Sequence, residues 1–296
     1  MTRIESVQFL FGRRGNSGPP PDQPLAFMPF DLSLAVKLGR FVDDAYAMQG
    51  MADPSKVVLN DPTYSLEQII YGDDVWDDIN GYVPFGFIAK SATAPYNLVI
   101  SLRGTENLWD WLADASFIRR ACPLAGAPHG AESEDGFTNL YLTLRTAPSA
   151  AAAPLKTTIK GWLLGLGAGN VAQVAVCGHS LGGALATLLA ADLVGSGLVA
   201  APVLYTLASP AVGEKTFATW CGSLLPDAYR IYNAPDVVPN VPPSLFGYTH
   251  VDEPYQINSG ATTKINVGCH HSLDTYLHTL DSSQPLSAAC TVGGGA

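Results

Sequence analysis

Charge is scarce in this chain: Asp, Glu, Lys and Arg make up 14% of its residues, where an average soluble domain carries roughly 25%. Its surface must therefore be rich in small and apolar side chains. Basic residues are the scarcer sign, 16 against 26 acidic ones, and the net charge of -10 opposes phosphate backbones and anionic headgroups. Nucleic acid is excluded as an expected partner. The longest apolar stretch, around 181–201, is broken by Asp192 and by glycines, short of the roughly 20-residue continuity of a membrane span. No transmembrane segment is expected. At the N-terminus Val7 to Phe11 is too short for a signal peptide's apolar region, and Arg13 and Arg14 follow it instead of preceding it. Cytoplasmic location is the resulting default. The five cysteines, Cys122, Cys177, Cys221, Cys269 and Cys290, contain no CxxC pair and are odd in number, so neither a zinc site nor a disulfide framework is signalled.

What the chain does have is punctuation, with 29 Gly and 22 Pro in 296 residues. One domain over 1–296 is expected, with a flexible Gly/Pro-rich segment at 12–25 and a frayed tail at 291–296. Asp31 stands as an N-cap before Leu34, Leu38, Phe41, Val42 and Ala45, whose spacing predicts an amphipathic helix. Tyr82 to Lys90 and Tyr96 to Leu102 read as strands. Further along, Val171 to Cys177 (strand), Leu181 to Leu193 (helix), Pro202 to Leu207 (strand), Glu214 to Leu225 (helix) and Tyr229 to Tyr232 (strand) alternate. Short apolar strands alternating with helices call for a mostly parallel central sheet flanked by helices, an α/β fold.

The strand ending at Cys177 runs into Gly178-His179-Ser180-Leu181-Gly182, a GxSxG pattern that opens directly into a helix. A serine on so sharp a strand-to-helix turn is held in a strained backbone conformation, and glycines two before and two after avoid clashes with neighbouring chain. Ser180 is thus the candidate nucleophile, with the helix N-terminus behind it favouring negative charge. His179 is adjacent but points elsewhere on the turn, and is not a base candidate.

A serine hydroxyl needs an imidazole to take its proton and a carboxylate to orient that imidazole. Among the later carboxylates, Asp192 falls mid-helix and Asp274 within the last helix, both reading as solvated or capping. Asp236 follows a strand in Asn233-Ala-Pro-Asp236-Val-Val-Pro239, at a carboxyl end where loops converge. It is the preferred acid; an Asx-turn is its alternative role. His250 reads as a structural histidine in a strand-like stretch, and His278 lies inside the helix Leu273 to Leu280. His270 and His271 precede that helix on a loop, and residue chemistry alone does not choose between them.

These residues, with others in the same order, resemble the class 3 lipase family, the fungal-lipase-like branch of the α/β-hydrolases. Leu102-Arg103-Gly104-Thr105 followed by Asp110-Trp111 and Asp114 resembles its oxyanion segment, and 178–182 its nucleophile elbow. Ala208-Ser209-Pro210-Ala-Val212-Gly213 is similar to its strand-end block, 233–239 to the turn carrying its acid, and His271-Ser-Leu273-Asp-Thr-Tyr276-Leu277-His278 to its histidine block. The resemblance implies His271 as the base and the backbone N–H groups of Thr105 and Leu181 as oxyanion donors. It implies an α/β-hydrolase fold and a carboxylic-ester hydrolase, lipase or esterase, forming an acyl-enzyme on acylglycerols or related esters. A phospholipase A1 or feruloyl-type esterase and a non-catalytic interaction module are the alternatives.

No metal or organic cofactor is needed, since nucleophile, base and oxyanion donors all lie in the chain. The expected partner is an ester or lipid substrate at a lipid–water interface; oligomeric state stays open. Relatives of this type are often secreted, which competes with the cytoplasmic default. Glu134 stands where family members often carry a histidine, two residues before Gly136-Phe137. Substrate selection is placed in the stretch from Ala115 to Asp135 and the lid beside it, with Trp109 and Phe117 as acyl-chain or lid candidates and Trp111 as a core residue.

Overall fold

The computed structural model describes residues 28–73, 81–105, 117–167, 169–260 and 262–292. Its centre is a seven-stranded sheet made of β1 (Tyr64–Asp73), β2 (Tyr82–Ser91), β3 (Tyr96–Leu102), β6 (Val171–His179), β7 (Val203–Leu207), β9 (Ala228–Asn233) and β11 (Glu253–Ile257), in that spatial order. β1, β2 and β3 pair antiparallel. From β3 onward every pairing is parallel, so the expected mostly parallel α/β-hydrolase sheet is present. β7 is buried along its whole length, as a strand covered by helices on both faces must be.

Helix α1 (Leu32–Ala47) starts where the sequence placed it: the Asp31 carboxylate accepts the Leu34 N–H at 3.0 Å, satisfying one of the open donors of the first turn. Its stripe of Ala35, Leu38, Phe41, Val42 and Ala45 is buried against one face of the sheet. The opposite face carries α2 (Asp135–Thr143), α3 (Leu155–Leu166), α4 (Leu181–Gly195) and α5 (Lys215–Leu224). α4 is buried from Leu181 to Leu193, because a helix that is apolar all round belongs in the centre. The chain closes with α6 (Val267–His271) and α7 (Leu273–Leu280), the latter packed beside α1.

Several expectations change. A second, four-stranded sheet is built from β4 (Arg119–Ala121), β5 (Glu132–Glu134), β8 (Gly213–Glu214) and β10 (Tyr248–Thr249). It gives strand structure to part of the stretch from Ala115 to Asp135 in which substrate selection is placed. Asp192 is neither solvated nor a cap: it is buried, accepting from the Tyr141 hydroxyl at 2.7 Å and pairing with Lys156 at 2.8 Å. A mid-helix carboxylate is stable in the interior only with such partners, and these come from α2 and α3.

Cys269 and Cys290 form a disulfide with Cα atoms 5.3 Å apart, a bridge that the cysteine spacing did not signal. Thr291, counted in the frayed tail, bridges to Thr263 and bonds Ser287. Residues 12–25 lie outside the described residues, as do 293–296 of the tail. Among the described residues no helix is long and apolar enough to cross a membrane.

His250 precedes β11 rather than lying in a strand, and its Nε2 contacts the Pro239 carbonyl at 2.8 Å. Burial, then the nearby Arg230, lowers its pKa from 6.5 to about 4. Between those values an unfolded chain holds a proton that the folded chain refuses, so this residue's contribution to stability falls as pH drops from 6.5 toward 4. Asp252, raised to about 6 by burial, acts in the opposite sense, so the effect is isolated by difference. Thermal unfolding of wild type should lose more stability over that window than His250→Gln does; parallel pH profiles for the two proteins would contradict it.

Candidate active site

Ser180 sits between β6 and α4 with φ 57° and ψ −129°, in the left-handed half of the backbone map that only a tightly held turn imposes on a side-chain-bearing residue. The local sequence explains how the turn closes. A Cβ at 178 would overlap the Gly182 carbonyl, and one at 182 would overlap the carbonyls of Leu102 and Arg103. The glycines let the elbow press against the end of β3. Ser180 N–H donates to the Leu207 carbonyl at 2.9 Å, and the Gly183 N–H donates to the Ser180 carbonyl at 2.8 Å.

The structure brings Ser180, His271 and Asp236 into line. His271 Nε2 lies 2.8 Å from Ser180 Oγ, and His271 Nδ1 lies 2.9 Å from Asp236 Oδ2. All three residues are buried. His271 is the last residue of α6, not part of a loop as read from sequence, and the helix is capped by Asn266 and tied to Cys290 through Cys269. Asp236 lies past the end of β9. Its Oδ1 accepts the Val238 N–H at 3.0 Å, an Asx-turn, while Oδ2 faces His271. The alternative role and the acid role coexist on two oxygens.

One neighbour escaped the sequence reading although its residue stood in the quoted histidine block. Tyr276 donates its hydroxyl to Asp236 Oδ2 at 2.7 Å and accepts the Asn233 N–H at 2.9 Å. Burial first, then the nearby Asp236, holds the phenol well above its ordinary pKa, so it stays a donor. With donors from Val238 and Tyr276 already on Asp236, the carboxylate orients the Nδ1–H of His271 toward itself and leaves the Nε2 lone pair for Ser180. His270 is adjacent but separate: its carbonyl accepts from Asn233 Nδ2 at 2.8 Å, and its buried Nε2 has no hydrogen-bond partner among the described residues.

Against the elbow lies the segment after β3. The buried Arg103 donates from Nε to the Pro84 carbonyl at 2.7 Å and from Nη1 to the Gly104 carbonyl at 2.6 Å, with its guanidinium 4.7 Å from the Phe85 ring centre. These contacts fix the approach to Thr105, which is buried. A Cβ at Gly104 would come within 2.9 Å of Ser180 Cβ, so this strand end runs directly beside the nucleophile candidate. Leu181 opens α4, where a backbone N–H has no intrahelical acceptor.

Glu134 has a local function: its Oε2 accepts the Phe137 N–H at 2.7 Å and caps α2. Burial raises its pKa, and the N–H groups of Phe137 and Gly136 oppose that rise. Phe117 is half-buried with φ 50°, its ring 6.3 Å from that of Phe246 and its carbonyl accepting from Tyr248. Trp109 and Trp111 lie outside the described residues. Among the described residues no group of three or more His, Cys, Asp or Glu side chains is arranged to hold a metal ion.

A parallel sheet with a serine on a strained strand-to-helix turn and a later acid and histidine meeting at it is an α/β-hydrolase. The sequence model of lipase (class 3) matches residues 99–246, half of the chain, and the chain belongs to that family. It is similar to the secreted mono- and diacylglycerol lipase 1 of Fusarium solani, 32% identical over 60% of this chain and 49% of that protein. It is also similar to phospholipase A1-IIgamma of Arabidopsis thaliana, 28% identical over 65% of this chain and 50% of that one. The chain spans about half the length of these curated relatives. Among solved structures, a mutant form of MDLA from Penicillium cyclopium superposes with a TM-score of 0.56 at 26% identity, over 76% of this chain and 77% of that one.

Proposed function

We propose that this chain is a single-domain carboxylic-ester hydrolase, a lipase or esterase acting on acylglycerols or related esters at a lipid–water interface. The observation that carries it is the continuous relay from Ser180 Oγ through His271 to Asp236 at 2.8 and 2.9 Å. In this scheme His271 Nε2 takes the hydroxyl proton as Ser180 Oγ attacks the ester carbonyl. The negative charge that develops on the carbonyl oxygen is met by the backbone N–H groups of Leu181 and Thr105, donors held in place before the reaction begins. His271 then returns its proton to the leaving alcohol, leaving an acyl group on Ser180. Water, deprotonated by the same histidine, attacks the acyl carbonyl and releases the carboxylic acid. Asp236, steadied by Tyr276, stabilises the imidazolium in both halves.

Phe117 beside Phe246 supplies apolar surface for an acyl chain. A second reading, phospholipase A1, is favoured by the similarity to the Arabidopsis protein. The test is hydrolysis of p-nitrophenyl esters from acetate to palmitate, with diacylglycerol and diacylphosphatidylcholine in parallel. Turnover of long-chain esters and diacylglycerol is expected; cleavage of the phospholipid alone would favour the second reading, and no hydrolysis of any of them would contradict both.

The cytoplasmic default has little support beside a Cys269–Cys290 bridge and a relative named as secreted. An oxidising compartment suits such a bridge. Thiol counting after denaturation without reductant should find Cys122, Cys177 and Cys221 reduced and the other pair oxidised; five reduced thiols would contradict this.

A further inference from the structure

One hydroxyl on the far side of the sequence joins the two halves of the site. Tyr46, near the end of α1, accepts the Gly104 N–H at 3.0 Å and lies 2.8 Å from His179 Nδ1. On its other side His179 Nε2 lies 2.8 Å from the backbone carbonyl of His271. The direction of every proton in this chain of contacts follows from chemistry. A carbonyl only accepts, so His179 carries its proton on Nε2 and donates it to His271. Nδ1 is then a lone pair, and the Tyr46 hydroxyl donates to it while accepting from Gly104. Burial, and then the neighbouring His271, hold His179 well below the ordinary histidine pKa, which keeps the ring neutral with one donor and one acceptor.

Resting on the Ser180–His271–Asp236 reading above, we propose that Tyr46 is a positioning residue that sets the distance between the base and the oxyanion segment by joining the Gly104 N–H to the ring of His179, whose other nitrogen holds the His271 carbonyl. The packing leaves little slack. A Cβ at Gly104 would come within 2.7 Å of the Tyr46 hydroxyl and 3.0 Å of the His179 carbonyl, so tyrosine, histidine and the strand end are already in contact. The His179 and His271 rings are 4.8 Å apart. If the tyrosine oxygen is removed, the Gly104 N–H loses this acceptor and His179 Nδ1 loses this donor. The backbone carrying the base and the N–H preceding Thr105 lose their common tie at once. Displacement of about 1 Å in a catalytic array costs on the order of 100-fold in rate.

The experiment compares wild type, Tyr46→Phe and Ser180→Ala in p-nitrophenyl ester hydrolysis, in phosphorylation by diethyl p-nitrophenyl phosphate, and in thermal unfolding. Tyr46→Phe is expected to lower kcat by about 10- to 100-fold with KM within threefold of wild type. Its rate of phosphorylation should fall in proportion, because that reaction uses the same nucleophile, base and oxyanion donors. Its unfolding temperature should stay close enough to wild type that the protein is fully folded at the assay temperature. A Tyr46→Phe enzyme with wild-type kcat and wild-type phosphorylation rate, while Ser180→Ala is inactive, would overturn the role of Tyr46 and leave the relay intact. A rise in KM with kcat unchanged would also overturn it. Full activity in Ser180→Ala would instead overturn the reading of the relay itself.

Discussion

Ser180→Ala should abolish ester turnover, lowering kcat by about 10⁶, with no loss of fold. The size follows from what disappears. Without the hydroxyl no acyl-enzyme forms, and a loss of that order corresponds to about 8 kcal/mol of transition-state stabilisation. What survives is binding and the oxyanion donors, which by themselves retain only a small acceleration over water. Folding should be preserved, since the Ser180 side chain has no packing role comparable to its backbone: the turn is held by the Leu207 carbonyl, the Gly183 N–H and the closeness of Gly178 and Gly182 to their neighbours. Relief of a side chain at φ 57° is not achieved by alanine, so the elbow keeps its strain and its shape. Activity within tenfold of wild type would remove Ser180 as nucleophile.

His271→Ala should lose activity to a similar degree, whereas His270→Ala should keep at least a tenth of it. In the proposed relay Ser180 and His271 act as one unit, so the double variant should be little worse than either single one. The contrast between neighbouring histidines comes from geometry. The His271 ring spans Ser180 and Asp236 at hydrogen-bond distance on both nitrogens, while His270 contributes its carbonyl to Asn233 and its ring nitrogen Nε2 bonds nothing among the described residues. Initial rates on one short ester, with circular dichroism as a check on folding, decide the matter. The reverse pattern would place the wrong histidine in the site.

The elbow was legible in the sequence because its constraint is local: two glycines, a strand before and a helix after are enough to mark Ser180. The proposed acid and base were legible only to a short list. Asp236 and His271 are 35 residues apart and His271 and Ser180 are 91 apart, and nothing in their immediate surroundings states that they meet. The family resemblance, not residue chemistry, separated His271 from His270.

Tyr46 was beyond reach, since its contact with His179 spans 133 residues and a tyrosine near the end of an amphipathic helix reads as ordinary packing. Asp192 was misread for the same physical reason, because Tyr141 and Lys156 reach it from other helices. The Cys269–Cys290 bridge was hidden by an odd cysteine count with no spacing signature. β1 escaped because it pairs on one side only and is largely half-buried, which blurs the alternation that marks a strand. The small sheet escaped because its strands span only two or three residues each, too short to show a period.

The most direct measurement is to treat the folded protein with diethyl p-nitrophenyl phosphate, follow p-nitrophenolate release, and map the modified residue by peptide mass spectrometry. Release of one equivalent per chain is expected, with the diethylphosphoryl group on Ser180 and ester turnover lost in step with it. A protein that stays unmodified while folded, or one modified at another residue with Ser180 untouched, would contradict the assignment of Ser180, His271 and Asp236 as the hydrolytic relay.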